Sequence, residues 1–313
     1  MSSGPDILQT VHRYWFLPDS PDEASAGEKD RGRVSSAPIG AAAHETMHGM
    51  SEYQTPPLAE TATPDAEPPI LYEEDDELSL HFNFPTIQSR MLKSAPDQLM
   101  LDYTRTMMGF LLFQPHPKRI AMIGLGGGSL AKYCRRKLPE ADFTAVELNP
   151  EVIALRQEFG IPPDGPLFRV LCADGADYVR GEAESLDVLL VDGFDADGQP
   201  AQLCSAVFYD NCFAMLRKNG VLVVNLCAGD TGYGSYVSRI CAAFADKAVV
   251  VEAEERDNKI IFARKDGAFP PSFNELAERL RVLEAAHPIA LDKTAQKILQ
   301  LGQGRNSGRR KRR

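Results

Sequence analysis

From Arg119 to Arg264, apolar runs of strand length alternate with segments of helical spacing. This regularity constrains the fold more than any other feature of the chain. "RIAMIG", "DFTAVEL", "LFRVLCAD", "LDVLLVD" and "GVLVVNL" read as five strands. The segments after them, Ser129–Leu138, Pro150–Phe159, Ala176–Arg180, Ala206–Leu216 and Tyr233–Phe244, read as helices. "LDVLLVD" is apolar on both alternating faces, as a central parallel strand covered on both sides must be. "AVVVEAE" and "KIIFAR" follow closely on one another and predict an antiparallel pair. Such alternation predicts an α/β, doubly wound, Rossmann-like sheet with its ligand beyond the carboxyl ends of the strands.

Charge helps to place the boundaries of that domain. Residues 1–78 hold 16 acids, 4 bases and 9 of the 22 prolines, whereas residues 79–304 hold 28 acids and 24 bases. The net charge of −10 is therefore mostly the property of an acidic, Pro-rich segment that buries too little apolar surface to offset its ordering entropy. We expect residues 1–77 to be mostly disordered, except that "ILQTVHRYWFL" (Ile7–Leu17) can form a short docking helix. Residues 78–118 follow as a small β annex and helix. Within them "LSLHFNF" and "TIQSRML" read as strands, and Pro96–Phe113 as a helix capped by Asp97. The Rossmann-like domain spans 119–265, C-terminal helices 266–300, and a basic tail 301–313.

That tail ends in Arg309-Arg310-Lys311-Arg312-Arg313. No aromatic residue interleaves the cations, so a solvated tail is the simpler reading and a nucleic-acid partner is not expected. No run reaches the roughly 18 apolar residues of a membrane span, and no basic and apolar leader opens the chain. A cytoplasmic protein without a membrane partner is the expectation. The six cysteines are scattered singly between Cys134 and Cys241 without a CxxC pair, so they read as reduced, mostly buried thiols. No metal site follows from them or from the separated histidines.

The chemistry is carried by successive strand ends. Gly124-Leu-Gly126-Gly-Gly128-Ser129 follows the first strand, where glycines let backbone approach a ligand at a helix N-terminus. A dinucleotide fingerprint would need glycine at 129, which is Ser129, so NAD is disfavoured. Glu147 ends the second strand, where a carboxylate can accept bonds from both hydroxyls of a ribose. Asp174-Gly175 ends the third, where a carboxylate can meet an adenine amino group. Any one of these has a bland explanation in packing or solvation. The three together describe an adenosine-binding crevice, in the order found in S-adenosylmethionine-dependent transferases.

Asp192-Gly-Phe-Asp195 ends the fourth strand. With it, "IGLGGGSLA", "AVELNPEV", "CADGADYV", "VDGFDADG" and "FYDNCFAMLRKNGVLVVNL" resemble the spermidine synthase (polyamine aminopropyltransferase) family. The resemblance extends upstream to "TIQSRMLKSAPDQLMLDY" and covers roughly Leu78 to Arg264. It implies an S-adenosylmethionine-dependent transferase fold with an N-terminal β annex, often dimeric. It implies decarboxylated or intact S-adenosylmethionine as co-substrate, and a polyamine or other small molecule as acceptor. Residue by residue, Asp192 matches the family's catalytic aspartate and Asp195 the second acid of that loop. Gln88 resembles a glutamine near the nucleotide, and Tyr103 a tyrosine lining the amine site.

The pattern departs from the family twice. Ser129 stands where an aspartate holds the co-substrate's amine tail, and Thr104-Arg105 follow the tyrosine in place of His-Glu. Both changes favour an anion, such as the carboxylate of intact S-adenosylmethionine, over a dicationic amine. Three functions therefore stand: aminopropyl transfer with Asp192 as base or amine anchor, methyl transfer to an unknown acceptor, and nucleotide binding without turnover.

Overall fold

The structure is a computed structural model. It describes residues 68–82, 87–195, 198–255 and 257–310, with side chains as far as 301. The expectations of a disordered arm and a docking helix at Ile7–Leu17 lie outside the described residues, except for the last ten positions of the arm. There a difference emerges. A strand β1 (Ile70–Glu74) precedes the Leu78 boundary and pairs antiparallel with β2 (Glu77–His81). The acid run is thus a hairpin turn, with Asp75 at φ 47°, a conformation that Asp tolerates better than most residues. Asp76 accepts from Ser94, and Lys93 pairs with Glu73 at 2.8 Å, which disperses the carboxylate charge. β3 (Ser89–Leu92) completes a three-stranded antiparallel annex in the order β1-β2-β3.

The segment expected to be one long helix is broken. α1 covers Asp102–Met107 and a 3₁₀ turn covers Met108–Leu112. Asp97 does not cap it but pairs with Arg136 at 2.7 Å. Arg105 Nη1 instead donates to the carbonyls of Leu99 (2.8 Å) and Met100 (2.9 Å), which fixes the extended chain leading into the helix.

The main sheet has seven strands in the order β6-β5-β4-β7-β8-β10-β9. β4 (Arg119–Ile123), β5 (Asp142–Glu147), β6 (Phe168–Cys172), β7 (Leu186–Val191) and β8 (Leu216–Cys227) are parallel. β9 (Ala248–Glu252) and β10 (Asn258–Arg264) form the expected antiparallel pair, and β10 inserts between β8 and β9. The connecting helices are α2 (Ser129–Lys137), α3 (Pro150–Ala154), α4 (Gly175–Tyr178), α5 (Ala206–Met215) and α6 (Tyr233–Ala243). α3 stops well short of Phe159. Its start was legible: Asn149 caps it by accepting from Glu151 N, and Pro150 follows at the first helical position. α7 (Phe273–Ala286) opens with a Ser272–Glu275 capping box, and α8 (Leu291–Arg310) runs into the stretch read as a basic tail.

Alternation along the strands builds two cores. Ile120, Met122, Val188, Leu190, Val221, Val223, Ile260 and Phe262 face one side, with the annex residues Leu78, Leu80 and Met91. Ala121, Ile123, Leu189, Val191, Leu222, Val224 and Ile261 face the other, beneath α5 and α6. Burial on both faces is what the unbroken apolar runs required, and this is the doubly wound α/β fold. Among the described residues no helix is long and apolar enough to cross a membrane.

Candidate active site

β4 ends at Ile123, and the next turn puts three glycines in left-handed conformation: Gly124 at φ 88°, Gly126 at 51° and Gly128 at 66°. Gly124 is the tightest of them, because a Cβ there would collide with the backbone carbonyl of Asp192 on the neighbouring strand's exit. The loop and the Asp192 turn are therefore packed backbone to backbone at adjacent strand ends.

Glu147, at the end of β5, braces the glycine loop. Its Oε2 accepts from Leu125 N at 2.8 Å and its Oε1 from Asn149 N at 2.9 Å. Burial pushes its carboxyl upward, and the backbone donors pull the other way. A carboxylate oxygen can accept more than one donor, so the same group can also meet a ribose hydroxyl. Asp174 caps α4, accepting from Ala176 N at 2.6 Å, and Gly175 lies against Ile123 where a side chain would not fit. Ser129 is half-buried at the first position of α2.

Asp192 follows β7. Its Oδ1 accepts from Asn225 Nδ2 at 2.8 Å and its Oδ2 from the Tyr103 hydroxyl at 3.3 Å. Burial raises its carboxyl to about 6, against the opposing pull of the two hydrogen bonds. Burial and the neighbouring carboxylate push the Tyr103 phenol well above its ordinary range, so it stays a donor. A carboxylate poised near neutral pH with one hydroxyl donor beside it can accept a proton from an amine and orient it.

The structure thus joins Tyr103 to Asp192, sets Gly124 against Asp192, and sets Glu147 beneath the loop. Asp195 is exposed in the following turn, where its N–H donates to the carbonyl of Gly198 at 2.8 Å. Gln88 is fixed through its backbone N–H, which donates to Leu80 O. Arg105 departs from expectation. Its bonds go to the chain's own carbonyls, and Glu254 and Glu255 lie near enough to feel its charge. Two of the cysteines read as buried, Cys172 and Cys227, are exposed, because each is the last residue of its strand. All six are free thiols.

Sequence reasoning passed over four contributors. Ser89 of β3 accepts from Gly127 N at 2.8 Å, tying the annex to the glycine loop. Asn225 holds Asp192, and its position as a lone amide within "VLVVNL" was a usable signal. Asn258 Nδ2 donates to Asn225 Oδ1 at 2.9 Å. Asp102, next to Tyr103, accepts from Glu255 N at 2.8 Å and so anchors the loop between β9 and β10.

Residues 100–233 match the model of the spermine/spermidine synthase domain family. The chain is 36% identical over 243 residues to a polyamine aminopropyltransferase of Chromobacterium violaceum, covering 77% of this chain and 92% of that one. A Neisseria meningitidis serogroup A polyamine aminopropyltransferase is 36% identical over 217 residues, covering 69% and 82%. A lower similarity, 26% over 217 residues, links it to an eEF1A lysine and N-terminal methyltransferase of Xenopus laevis, covering 64% of this chain and 31% of that one. Two solved structures share the fold. They are a probable spermidine synthase from Corynebacterium glutamicum (TM-score 0.59, 22% identity, 73% and 88% coverage) and human methyltransferase-like protein 13 in complex with SAH (TM-score 0.53, 24% identity, 60% and 92% coverage).

Proposed function

Because the chain belongs to the spermine/spermidine synthase family, a family of transferases, we propose that it transfers an aminopropyl group from decarboxylated S-adenosylmethionine to a polyamine. The observation that carries this reading is the Asp192 carboxyl, bonded by Tyr103 and Asn225 and poised near neutrality. The nucleotide would lie over the glycine loop, with Glu147 accepting from its ribose and Asp174-Gly175 beside the adenine. Ser129, at the start of α2, would face the amine tail, together with Gln88 from the annex.

In the transfer itself, an amine nitrogen attacks the methylene next to the sulfonium. The C–N bond forms as the C–S bond breaks, and the electron pair of that bond returns to sulfur to give a neutral thioether. The amine proton passes to Asp192. Tyr103, kept protonated, steadies the carboxylate while the nitrogen is held in line with the leaving sulfur. The reading is supported by the bonds of Arg105 to the Leu99 and Met100 carbonyls, which engage this guanidinium with backbone.

A second reading is methyl transfer from intact S-adenosylmethionine. It is favoured by the likeness to the Xenopus laevis methyltransferase and by a serine at 129 in place of an acid. One experiment separates the two. The protein is incubated with putrescine and each nucleotide in turn, and the products are resolved by chromatography. Release of methylthioadenosine from the decarboxylated form is the expected result. S-adenosylhomocysteine from the intact form would replace the proposal with the methyltransferase reading. Absence of both products, with unchanged nucleotide binding, would leave a non-catalytic binder.

A further inference from the structure

Asn225 interrupts one of the most buried runs in the protein. Val221, Leu222, Val223 and Val224 are wholly buried, and Asn225 itself is 2% exposed. A carboxamide buried there without partners would be strongly disfavoured, so its hydrogen bonds account for its presence. Nδ2 donates to Asp192 Oδ1, Oδ1 accepts from Asn258 Nδ2, and the backbone carbonyl accepts from Gln199 Nε2 at 3.3 Å. Antiparallel pairing sets Asn225 opposite Ile260 and Asn258 opposite Cys227, so the two amides are diagonal neighbours on one face of the sheet.

We propose that Asn258 and Asn225 form a positioning relay that selects the working oxygen of Asp192, clamping Oδ1 and leaving Oδ2, beside Tyr103, to meet the acceptor's amine. The geometry allows one polarity. An ionised Asp192 only accepts, so the Asn225 nitrogen must face it, the Asn225 oxygen faces Asn258, and Asn258 presents its amide nitrogen. Reversing Asn225 would set two NH₂ groups together and an amide oxygen against a carboxylate. The two bonds to Asp192 are also unequal, 2.8 Å from Asn225 against 3.3 Å from Tyr103. The better-satisfied oxygen is therefore on the relay side. The looser one faces the tyrosine, where a nitrogen can compete for it. Asn225 and Asn258 touch no reacting atom, and both act through Asp192. The relay rests on the reading that Asp192 receives an amine proton, but its physical content is independent of turnover.

The test uses the full-length chain. The Asp192 carboxyl is followed by carbon-13 NMR across pH, with Asp192→Asn identifying its signal, and the pH profile of kcat/KM is recorded in parallel. Asn225→Leu removes the donor at similar volume, so both the titration midpoint and the acid limb should move upward by about one pH unit. Asn258→Ala should move them the same way by less, with nucleotide affinity unchanged. Asn258 is only partly buried, so this variant carries the test if Asn225→Leu fails to fold. Midpoints that stay at the wild-type value in the folded variants overturn the relay, even with normal turnover. Shifted midpoints with no product from any amine leave the relay standing and remove the aminopropyl reading instead.

Discussion

At the scale of single residues, Asp192 sets stability against activity. Its carboxyl has an ordinary value of 3.8 and is pushed by burial to about 6 in the fold. Between these values the native state holds a proton that the unfolded chain has released. Stability therefore falls as pH rises through that window, and the cost stays constant above it. Replacing the ionised group should relieve the cost. Asp192→Asn is expected to stabilise the fold by about 1–3 kcal/mol at pH 8 and not at all near pH 3.5, as measured by urea denaturation at the two values. The same change should lower kcat by about 100-fold or more while leaving nucleotide affinity intact in calorimetry. In the wild type, activity should decline as pH drops through about 6, when the carboxyl takes up the proton it needs to receive from the amine.

At the scale of elements, the parallel core was legible because both faces of every central strand are buried, which writes itself as unbroken apolar runs. The strand-end acids and the glycine turn were legible for a related reason: they lie at the exits of those runs. The annex, the broken α1 and the early end of α3 were harder to read. Their limits are set by tertiary partners such as the Arg105 guanidinium on Leu99 and Met100, which no local spacing encodes. β1 hides in an acidic run because its charges are dispersed by pairing with Lys93 and bonding to Ser94. The fastening of the annex has a measurable size. Ser89→Ala strips the partner from the buried Gly127 N–H and should cost about 1–3 kcal/mol in thermal or denaturant melts. Nucleotide affinity should weaken with it, because the glycine loop loses one of its two side-chain braces. The other, Glu147, stays in place.

At the scale of the whole molecule, the site is assembled from more chain than the family-matched stretch. Residues 100–233 carry Tyr103, the glycines, Glu147, Asp192 and Asn225, but Ser89 lies before them and Asn258 after. A fragment limited to 100–233 would lack the annex and leave the β8 edge and its apolar rows uncovered. It should show no cooperative thermal transition in circular dichroism, whereas residues 68–310 should retain that of the full chain. The position of β10 between β8 and β9 carries a further consequence, for the order of events on the ribosome. A nascent chain that has emerged only as far as Glu252 has made β9 but has nothing to pair it with, because its neighbour is still to be synthesised. The strand made last must slot in beside β8 before the one made earlier can find its place. The Asn258 amide arrives with that late strand, so the protein can complete its clamp on Asp192 only after nearly all of the sheet has been translated.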